Sequence, residues 1–308
     1  MKKLFLIAVM FMVILLSGGC RDTSVEKESA PAAPAQTAVQ TPADDSAVAE
    51  PDKAGQISDD QTTAKPTVTG TVYESGSSSA AQSKSLSWYF VRNQQHQTPG
   101  ANAGYKQLLE ENQSFYVLPN DSKKIYLTFD CGYEQGYGGQ VLDTLAAKNV
   151  KAAFFITGQY LKTQPELIKR MKAEGHLVCS HSYNHPDLSA ISQSKVQQEI
   201  TSLADGYRSL TGLEMDKYLR PPAGKFSANS LQWTKELGYS SVFWSMAWQD
   251  WDPKNQPGAD YVYQHVLDNI HPGAVILMHI VSESDTEALE QIITDLQDQG
   301  YRFSTFGN

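Results

Sequence analysis

The sequence predicts an α/β fold, a barrel in which parallel strands alternate with helices. Seven short strand-like runs alternate with six amphipathic stretches between Ile125 and Thr305, and such alternation favours a parallel sheet. Polar residues with reactive side chains follow several of these runs, as they do at the active edge of such barrels. No glycine-rich nucleotide loop follows the first run, so an open doubly wound sheet fits the pattern less well.

The expected elements are bounded by ordinary start and stop signals. Glycine follows several of the helical stretches, and serine or proline precedes others. Strands are expected at Ile125–Asp130, Ala152–Thr157, His176–Ser180, Tyr218–Arg220, Ser241–Trp244, Val275–Met278 and Tyr301–Thr305. Helices are expected at Val141–Lys148, Pro165–Glu174, Ser194–Leu210, Ser227–Leu237, Tyr261–Ile270 and Thr286–Gln299. The aromatic segment Leu86–Leu118 is expected to pack against the outside of the barrel.

The chain before the barrel falls into two parts by composition. Residues 1–20 have a basic start and a short apolar run, which is typical of an export signal. The run ends in "LLSGGC", which resembles a bacterial lipoprotein signal and predicts lipidation at Cys20. Plain secretion and an uncleaved signal anchor are the alternatives. Residues 21–85 are rich in Ala, Pro, Thr and Ser, and we expect a disordered tether before the domain at 86–308.

The charge balance excludes one class of partner. The chain has 34 acidic and 25 basic residues and no basic stripe with interleaved aromatic residues. Nucleic-acid binding is therefore disfavoured. Nothing in the pattern indicates oligomerisation, so a monomer is the default expectation.

Residues of the types that bind metal ions lie at the ends of the first and third strands. Asp130 ends a buried strand, where a carboxylate is unfavourable unless a partner or a metal meets it. His181 and His185 lie in "CSHSYNHPDL", where Pro186 prevents a long helix, and this spacing can direct both imidazoles at one ion. The alternative is a pair of solvated histidines on a surface helix.

Later strands add a cation, a second carboxylate and a third histidine. Arg220 precedes Pro221 and Pro222, whose rings hold the backbone extended and so fix the direction of the guanidinium. Asp250 lies among Trp248 and Trp251, and such aromatic faces suit sugar rings. His279 ends an apolar strand and is a candidate general acid if Asp250 holds one ring nitrogen. A rim salt bridge for Arg220 and a satisfied core histidine for His279 are the alternatives.

These motifs together resemble the polysaccharide deacetylases, the NodB-homology group of carbohydrate esterases. The motifs "TFDCG", "HSYNH", "RPPAG", "WQDW" and "LMH" occur in that order between Thr128 and His279. Longer stretches, such as "TFDCGYEQGY" and "FWSMAWQDW", look like the branch that removes acetyl groups from N-acetylmuramic acid on the way to muramic δ-lactam in spore cortex. The resemblance implies a distorted (β/α) barrel of seven or eight strands.

The resemblance also implies a role for each residue. Asp130 would be the general base, and His181 and His185 would hold one divalent ion, with zinc expected first and cobalt or manganese as alternatives. His279 would protonate the departing amine. Arg220 would orient Asp130, and Asp250 would orient His279. The residues implied for substrate binding are Trp251, Leu277, Pro221, Pro222 and Trp248.

Cys131 departs from the family pattern, in which a second aspartate usually ligates the metal. The thiolate could complete a His2Cys site, or it could stay outside a weaker site that water completes. A Cys131–Cys179 disulfide is the third alternative. We expect the weaker site, with Cys131 only marginally involved as a ligand.

The sequence thus predicts an exported, lipid-anchored hydrolase that faces the cell wall and removes N-acetyl groups from peptidoglycan. N-acetylmuramic acid is the expected sugar, and N-acetylglucosamine in peptidoglycan or chitin-like oligomers is the alternative. A non-catalytic wall-binding lipoprotein on a degenerate deacetylase fold is the alternative from another class.

Overall fold

The computed structural model describes residues 83–93, 95–119 and 122–307. The predicted export signal, with Cys20, and the predicted tether up to residue 82 lie outside the described residues. None of the helices within these ranges is long and apolar enough to span a bilayer.

A parallel sheet of seven strands forms the centre of the described part. The strands in chain order are β1 (Leu86–Ser87), β2 (Lys124–Cys131), β3 (Ala153–Ile156), β4 (Leu177–Ser180), β5 (Tyr218–Leu219), β6 (Lys225–Phe226), β7 (Ser240–Ser241), β8 (Val275–His279) and β9 (Arg302–Phe303). The central sheet has the order β7-β5-β4-β3-β2-β8, and β9 pairs with the first residues of β2. Each of the seven predicted strands is therefore present.

The sheet curls until its two edges meet. The chain that leaves β7 pairs with β8, because Leu277 N donates to Met246 O at 2.9 Å and Ser245 N donates to Val275 O at 3.0 Å. A parallel bridge joins Met246 to Ile276 at this seam. The distorted barrel predicted from the sequence is confirmed.

The predicted helices are also present, with ends shifted by a few residues. The helices of the described part are α1 (Ala103–Glu111), α2 (Gly138–Ala147), α3 (Gly158–Thr163), α4 (Pro165–Ala173), α5 (Gln193–Thr211), α6 (Ala228–Glu236), α7 (Ala259–Asn269) and α8 (Glu283–Asp298). The sequence analysis did not predict α1 or α3. Side-chain caps explain two of the starts, since Thr157 accepts from Tyr160 N and Ser227 from Ser230 N.

Alternation along the strands separates two cores and positions the site. Successive side chains of a strand point to opposite faces. Phe129 and Cys131 of β2 pack outward in the large core between sheet and helices. Tyr126 and Phe155 belong to the inner cluster, where Phe306 from the chain end packs on Tyr126. Inward residues at the carboxyl ends of the strands therefore meet at one mouth of the barrel.

The segment before β2 packs on the barrel as predicted, and part of it goes deeper. Trp88 and Tyr116 join a cluster with Phe226 and Phe243 on the outside, and β1 pairs antiparallel with β6. Phe115 instead contacts Phe306 in the inner cluster, with ring centroids 5.2 Å apart. Part of this segment therefore packs inside the barrel and not only on its surface.

Candidate active site

Asp130 and Arg220 form a buried ion pair at the mouth of the barrel. Arg220 Nη1 donates to Asp130 Oδ1 at 2.8 Å, and Nη2 donates to Thr128 Oγ1 at 2.9 Å. Burial alone would raise the pKa of Asp130, but the guanidinium, together with His181 and His279, lowers it below the ordinary value. Asp130 is therefore a carboxylate at neutral pH.

The surroundings of Arg220 fix its position rather than its charge. The guanidinium lies 4.2 Å from the ring centroid of Phe155, and Nε donates to Val242 O at 3.3 Å. No part of the Arg220 side chain is exposed. A buried arginine needs such a complete set of partners, because an unpaired buried charge is strongly unfavourable. The guanidinium binds only Oδ1 of Asp130, so the second carboxylate oxygen, Oδ2, is free of it.

His181 and His185 point their Nε2 atoms at each other. The two atoms lie 3.1 Å apart, and His181 Nε2 is 3.4 Å from Asp130 Oδ2. The loop that carries them is strained, since Ser182 and His185 both have positive φ values, 61° and 58°. Hydrogen bonds offset this strain: His185 N donates to Ser182 Oγ, and Asn184 N and Nδ2 donate to the Glu199 carboxylate.

This histidine pair fits the requirements of a divalent ion. His181 Nδ1 lies 2.9 Å from the Arg220 carbonyl, which can only accept, so Nδ1 carries the hydrogen and Nε2 has a free lone pair. Burial lowers the pKa of His181 to about 4 and also lowers that of His185, so both are neutral near pH 7. Two nitrogens at about 2.1 Å from one tetrahedral ion would be about 3.4 Å apart, close to the separation found.

His279 and Asp250 form a second pair on the other side of the mouth. His279 Nδ1 donates to Asp250 Oδ1 at 2.8 Å, and the His279 backbone N donates to Asp250 Oδ2 at 2.7 Å. Burial alone would lower the pKa of His279, but the Asp250 carboxylate raises it above the ordinary value. The remaining ring nitrogen, Nε2, is free to hold a proton toward the cavity.

A cavity of about 770 Å³ joins the two pairs. Asp130, His181, His185 and His279 all line it. Of the residues predicted to bind substrate, Trp251, Leu277, Pro221 and Trp248 line it too. Pro222 does not line it and is buried in the turn that follows. Trp251 is 51% exposed, with its ring centroid 6.0 Å from that of His279, so it offers a flat apolar face beside the reactive groups.

Comparison with known proteins decides the family. Residues 118–242 match the polysaccharide deacetylase family. The peptidoglycan-N-acetylmuramic acid deacetylase PdaA of Bacillus subtilis is 45% identical over 226 residues, 73% of this chain and 86% of that protein. The chain belongs to the polysaccharide deacetylase family. The deacetylases of this family are metal-dependent.

Solved structures of family 4 carbohydrate esterases agree with the fold. The structure of B. subtilis PdaA, a family 4 carbohydrate esterase, aligns with a TM-score of 0.70 over 72% of this chain and 95% of that chain, at 45% identity. A family 4 carbohydrate esterase from Bacillus anthracis aligns with a TM-score of 0.61 over 72% of this chain and 94% of that chain, at 41% identity.

The structure of this deacetylase does not bring Cys131 to the histidines. The side chain lies on the outward face of β2, in the apolar core, and burial raises the pKa of the thiol well above its ordinary value. Among the residues described, no three or more His, Cys, Asp or Glu side chains are grouped as ligands of one ion. Cys179 lies in the inner cluster on the other face, and both thiols are free, so the disulfide alternative is wrong.

The sequence analysis missed several residues that the deacetylase site uses. Thr128 shares the inward face of β2 with Asp130, two residues on, and a period of two along the strand could have indicated it. Phe155 carries no local signal, because its role comes from Arg220, which is far away in sequence. Arg92 lines the cavity from the segment before the barrel, where only aromatic residues had been considered.

Proposed function

We propose that this deacetylase hydrolyses the acetamide of N-acetylmuramic acid residues in peptidoglycan and releases acetate. One observation carries the proposal. Asp130 and His279 face one cavity, and their neighbours shift their pKa values in opposite directions, which favours the ionised form of Asp130 and the protonated form of His279. A base and an acid held ready together are what amide hydrolysis requires.

The proton transfers follow from the free atoms of each pair. Asp130 Oδ2, which Arg220 leaves free, accepts a proton as water attacks the acetyl carbonyl carbon. His279 Nε2 then gives its proton to the amide nitrogen as the carbon–nitrogen bond breaks. The products are acetate and the free 2-amino group of the sugar. Asp250 holds the imidazole in the orientation and protonation state that this step needs.

His181 and His185 would hold the divalent ion, and zinc is the ion we propose. When bound, such an ion lowers the pKa of water and polarises a carbonyl oxygen. Two neutral imidazoles with converging Nε2 atoms are donors that suit zinc, while cobalt and manganese are the alternatives. With Cys131 turned away, the protein would supply fewer ligands than the family pattern, which supports the weaker site expected from the sequence.

Arg92 supports muramic acid over glucosamine as the sugar. Its side chain lines the cavity, Nη2 donates to Ala247 O at 3.0 Å, and no carboxylate pairs with it among the described residues. Muramic acid carries a lactyl ether at C3, next to the C2 acetamide, whereas N-acetylglucosamine has a hydroxyl there. An arginine at the wall of the cavity can bind the carbonyl or carboxylate oxygens of that lactyl group.

We also propose that the protein is exported, anchored by a lipid on Cys20, and held near peptidoglycan by the tether of residues 21–85. The charge balance supports a partner other than nucleic acid. A lipid anchor with a long polar tether would give the domain reach into the wall. A monomer remains the default.

The substrate assignment is tested with purified protein and defined divalent metals. The protein is incubated with peptidoglycan, with and without prior removal of stem peptides, and separately with chitooligosaccharides. Acetate release is measured, and mass spectrometry locates the lost acetyl group. We expect loss from muramic acid residues. Loss from chitooligosaccharides but not from peptidoglycan fragments would replace the substrate, and wall binding without acetate release under any metal would favour the binding-protein alternative.

A further inference from the structure

A third buried carboxyl group lies behind the Asp250–His279 pair. Asp285, in the first turn of α8, is 2% exposed. Its Oδ1 accepts from Trp248 Nε1 at 3.0 Å, and its backbone N donates to Ser282 Oγ at 3.0 Å. Its Oδ2 is buried and has no donor among the residues that the structure describes.

The neighbour of this carboxyl group is Asp250, whose side chain lies within hydrogen-bonding reach of Asp285. Asp250 already uses both oxygens as acceptors from His279. Two carboxylates in contact, with no donor between them, repel unless one of them carries a proton. The negative charge of Asp250 is compensated by His279, whereas Asp285 has only the neutral indole of Trp248 and the hydroxyl of Ser282 nearby. The proton therefore belongs on Asp285.

Electrostatics agree with this placement. Burial, followed by the charge of Asp250, raises the pKa of Asp285 well above the ordinary aspartate value. The other charged or titratable groups near this network are His279, Asp130 and Arg220 across the mouth and His265, whose ring lies 5.4 Å from that of Trp248. Burial lowers the pKa of His265 to about 4, so it adds no cation at neutral pH.

We propose that Asp285 is a neutral carboxylic acid that donates a hydrogen bond to Asp250 and thereby positions that carboxylate against His279. The inference rests on the proposed role of His279 as the acid. Asp285 is a positioning residue, since it touches neither substrate nor metal. The resulting hydrogen-bond network runs from the Trp248 indole through Asp285 and Asp250 to His279. It connects a residue of the cavity wall to the proposed general acid.

Two variants separate this role from that of a charged or merely structural residue. Asp285→Asn keeps a neutral donor toward Asp250, whereas Asp285→Ala removes the donor and leaves the Trp248 indole without its acceptor. The metal-loaded protein is assayed for acetate release between acid and alkaline pH, with kcat and KM determined separately. Circular dichroism and thermal unfolding establish that each variant is folded.

We expect Asp285→Ala to lower kcat by about tenfold to a hundredfold with little change in KM. The alkaline limb of its kcat–pH profile should move to higher pH. Without a donor from residue 285, the Asp250 carboxylate stabilises the protonated imidazole of His279 more strongly. Asp285→Asn should keep kcat within about threefold of the wild type, with the alkaline limb unmoved. If Asp285 were instead ionised, Asp285→Asn would remove a negative charge and move that limb down by about one pH unit, which would overturn the proposal.

An infrared measurement tests the protonation state of Asp285 independently of activity. The difference spectrum between wild type and Asp285→Asn at neutral pH should contain the carbonyl stretch of a protonated carboxylic acid. A carboxylate band in its place would refute the neutral Asp285. A wild type without deacetylase activity would count against the proposed function alone, because the spectrum still reports the state of Asp285.

Discussion

The guanidinium of Arg220 binds the Asp130 carboxylate at 2.8 Å where no part of the arginine reaches solvent. The same side chain reaches Thr128 and stacks on Phe155, so residues of β2, β3 and the end of β5 meet at one cation. Asp130, the proposed general base, is therefore fixed by the barrel interior and not by the loops at its mouth.

Arg220→Lys should impair both activity and stability. A lysine cannot bind Asp130 and Thr128 together or stack as a plane on Phe155. We expect the free energy of unfolding to fall by about 3 kcal/mol, as for other broken buried pairs. We also expect the acid limb of kcat to move to higher pH, because a lysine ammonium would stabilise the carboxylate less well than the fixed guanidinium does. Arg302→Lys, at an exposed arginine, is the matched control and should change neither quantity.

The pH profile should be bell-shaped, with limbs displaced in opposite directions. In the proposed mechanism Asp130 acts in its ionised form, so the acid limb should lie below the ordinary pKa of aspartate. His279 acts in its protonated form, so the alkaline limb should lie above the ordinary pKa of histidine. Asp250→Asn should move the alkaline limb to lower pH and reduce kcat by roughly a hundredfold. An alkaline limb unaffected by that change would remove His279 from the role of acid.

The same shift predicts a pH-dependent stability. Because the folded-state pKa of His279 is raised, its pairing with Asp250 contributes fully at pH values below the ordinary histidine pKa. The contribution is lost as the pH rises through the raised value. Thermal unfolding of wild type and His279→Gln across this window should therefore converge at alkaline pH. A difference between the two proteins that is independent of pH would contradict the linkage.

Metal affinity should depend on the histidines and not on Cys131. His185→Gln removes one of two converging nitrogens, and we expect zinc affinity to fall by at least about a hundredfold. Cys131→Ala alters only the outward core and should leave zinc affinity unchanged while slightly lowering stability. Isothermal titration with zinc measures both. A comparable loss of affinity in Cys131→Ala would restore the thiolate as a ligand.

Arg92→Gln should affect the choice of sugar. If the guanidinium binds the lactyl group, kcat/KM on muramic acid substrates should fall by about tenfold, the effect of one lost charged hydrogen bond. Activity on chitooligosaccharides, where any is measurable, should be unchanged. Arg208→Gln, far from the cavity on α5, serves as the control. An equal loss of kcat/KM on both substrates would mean that Arg92 shapes the cavity but does not distinguish the two sugars.

Much of the fold could be predicted because the local pattern and the tertiary structure agree. The inner strands are apolar and bounded by glycines and helix caps, so their positions were readable. The short helix α3 was not, because it follows directly on β3 and lacks a full amphipathic repeat. The inward path of Phe115 depends on Phe306, almost two hundred residues later, and no local signal marks such a contact.

The candidate site likewise contains residues that could be predicted from the sequence and residues that could not. Asp130, His181, Arg220, Asp250 and His279 were predicted, since each lies at or just beyond a strand or its continuation and matches a family motif. The position of Cys131 was left open, although strict alternation along β2 already turns it away from Asp130. Asp285 was not predicted, because an aspartate in the first turn of a helix is ordinarily a favourable partner of the helix dipole.

The central claim is that Asp130 and His279 act as base and acid on one acetamide. The most direct test compares acetate release by the zinc-loaded wild type, Asp130→Asn and His279→Gln on peptidoglycan, with zinc binding confirmed for each protein. We expect the wild type to remove acetyl groups from muramic acid, and both variants to lose about a hundredfold to ten-thousandfold in kcat. Variants that bind zinc and retain wild-type kcat would contradict the account.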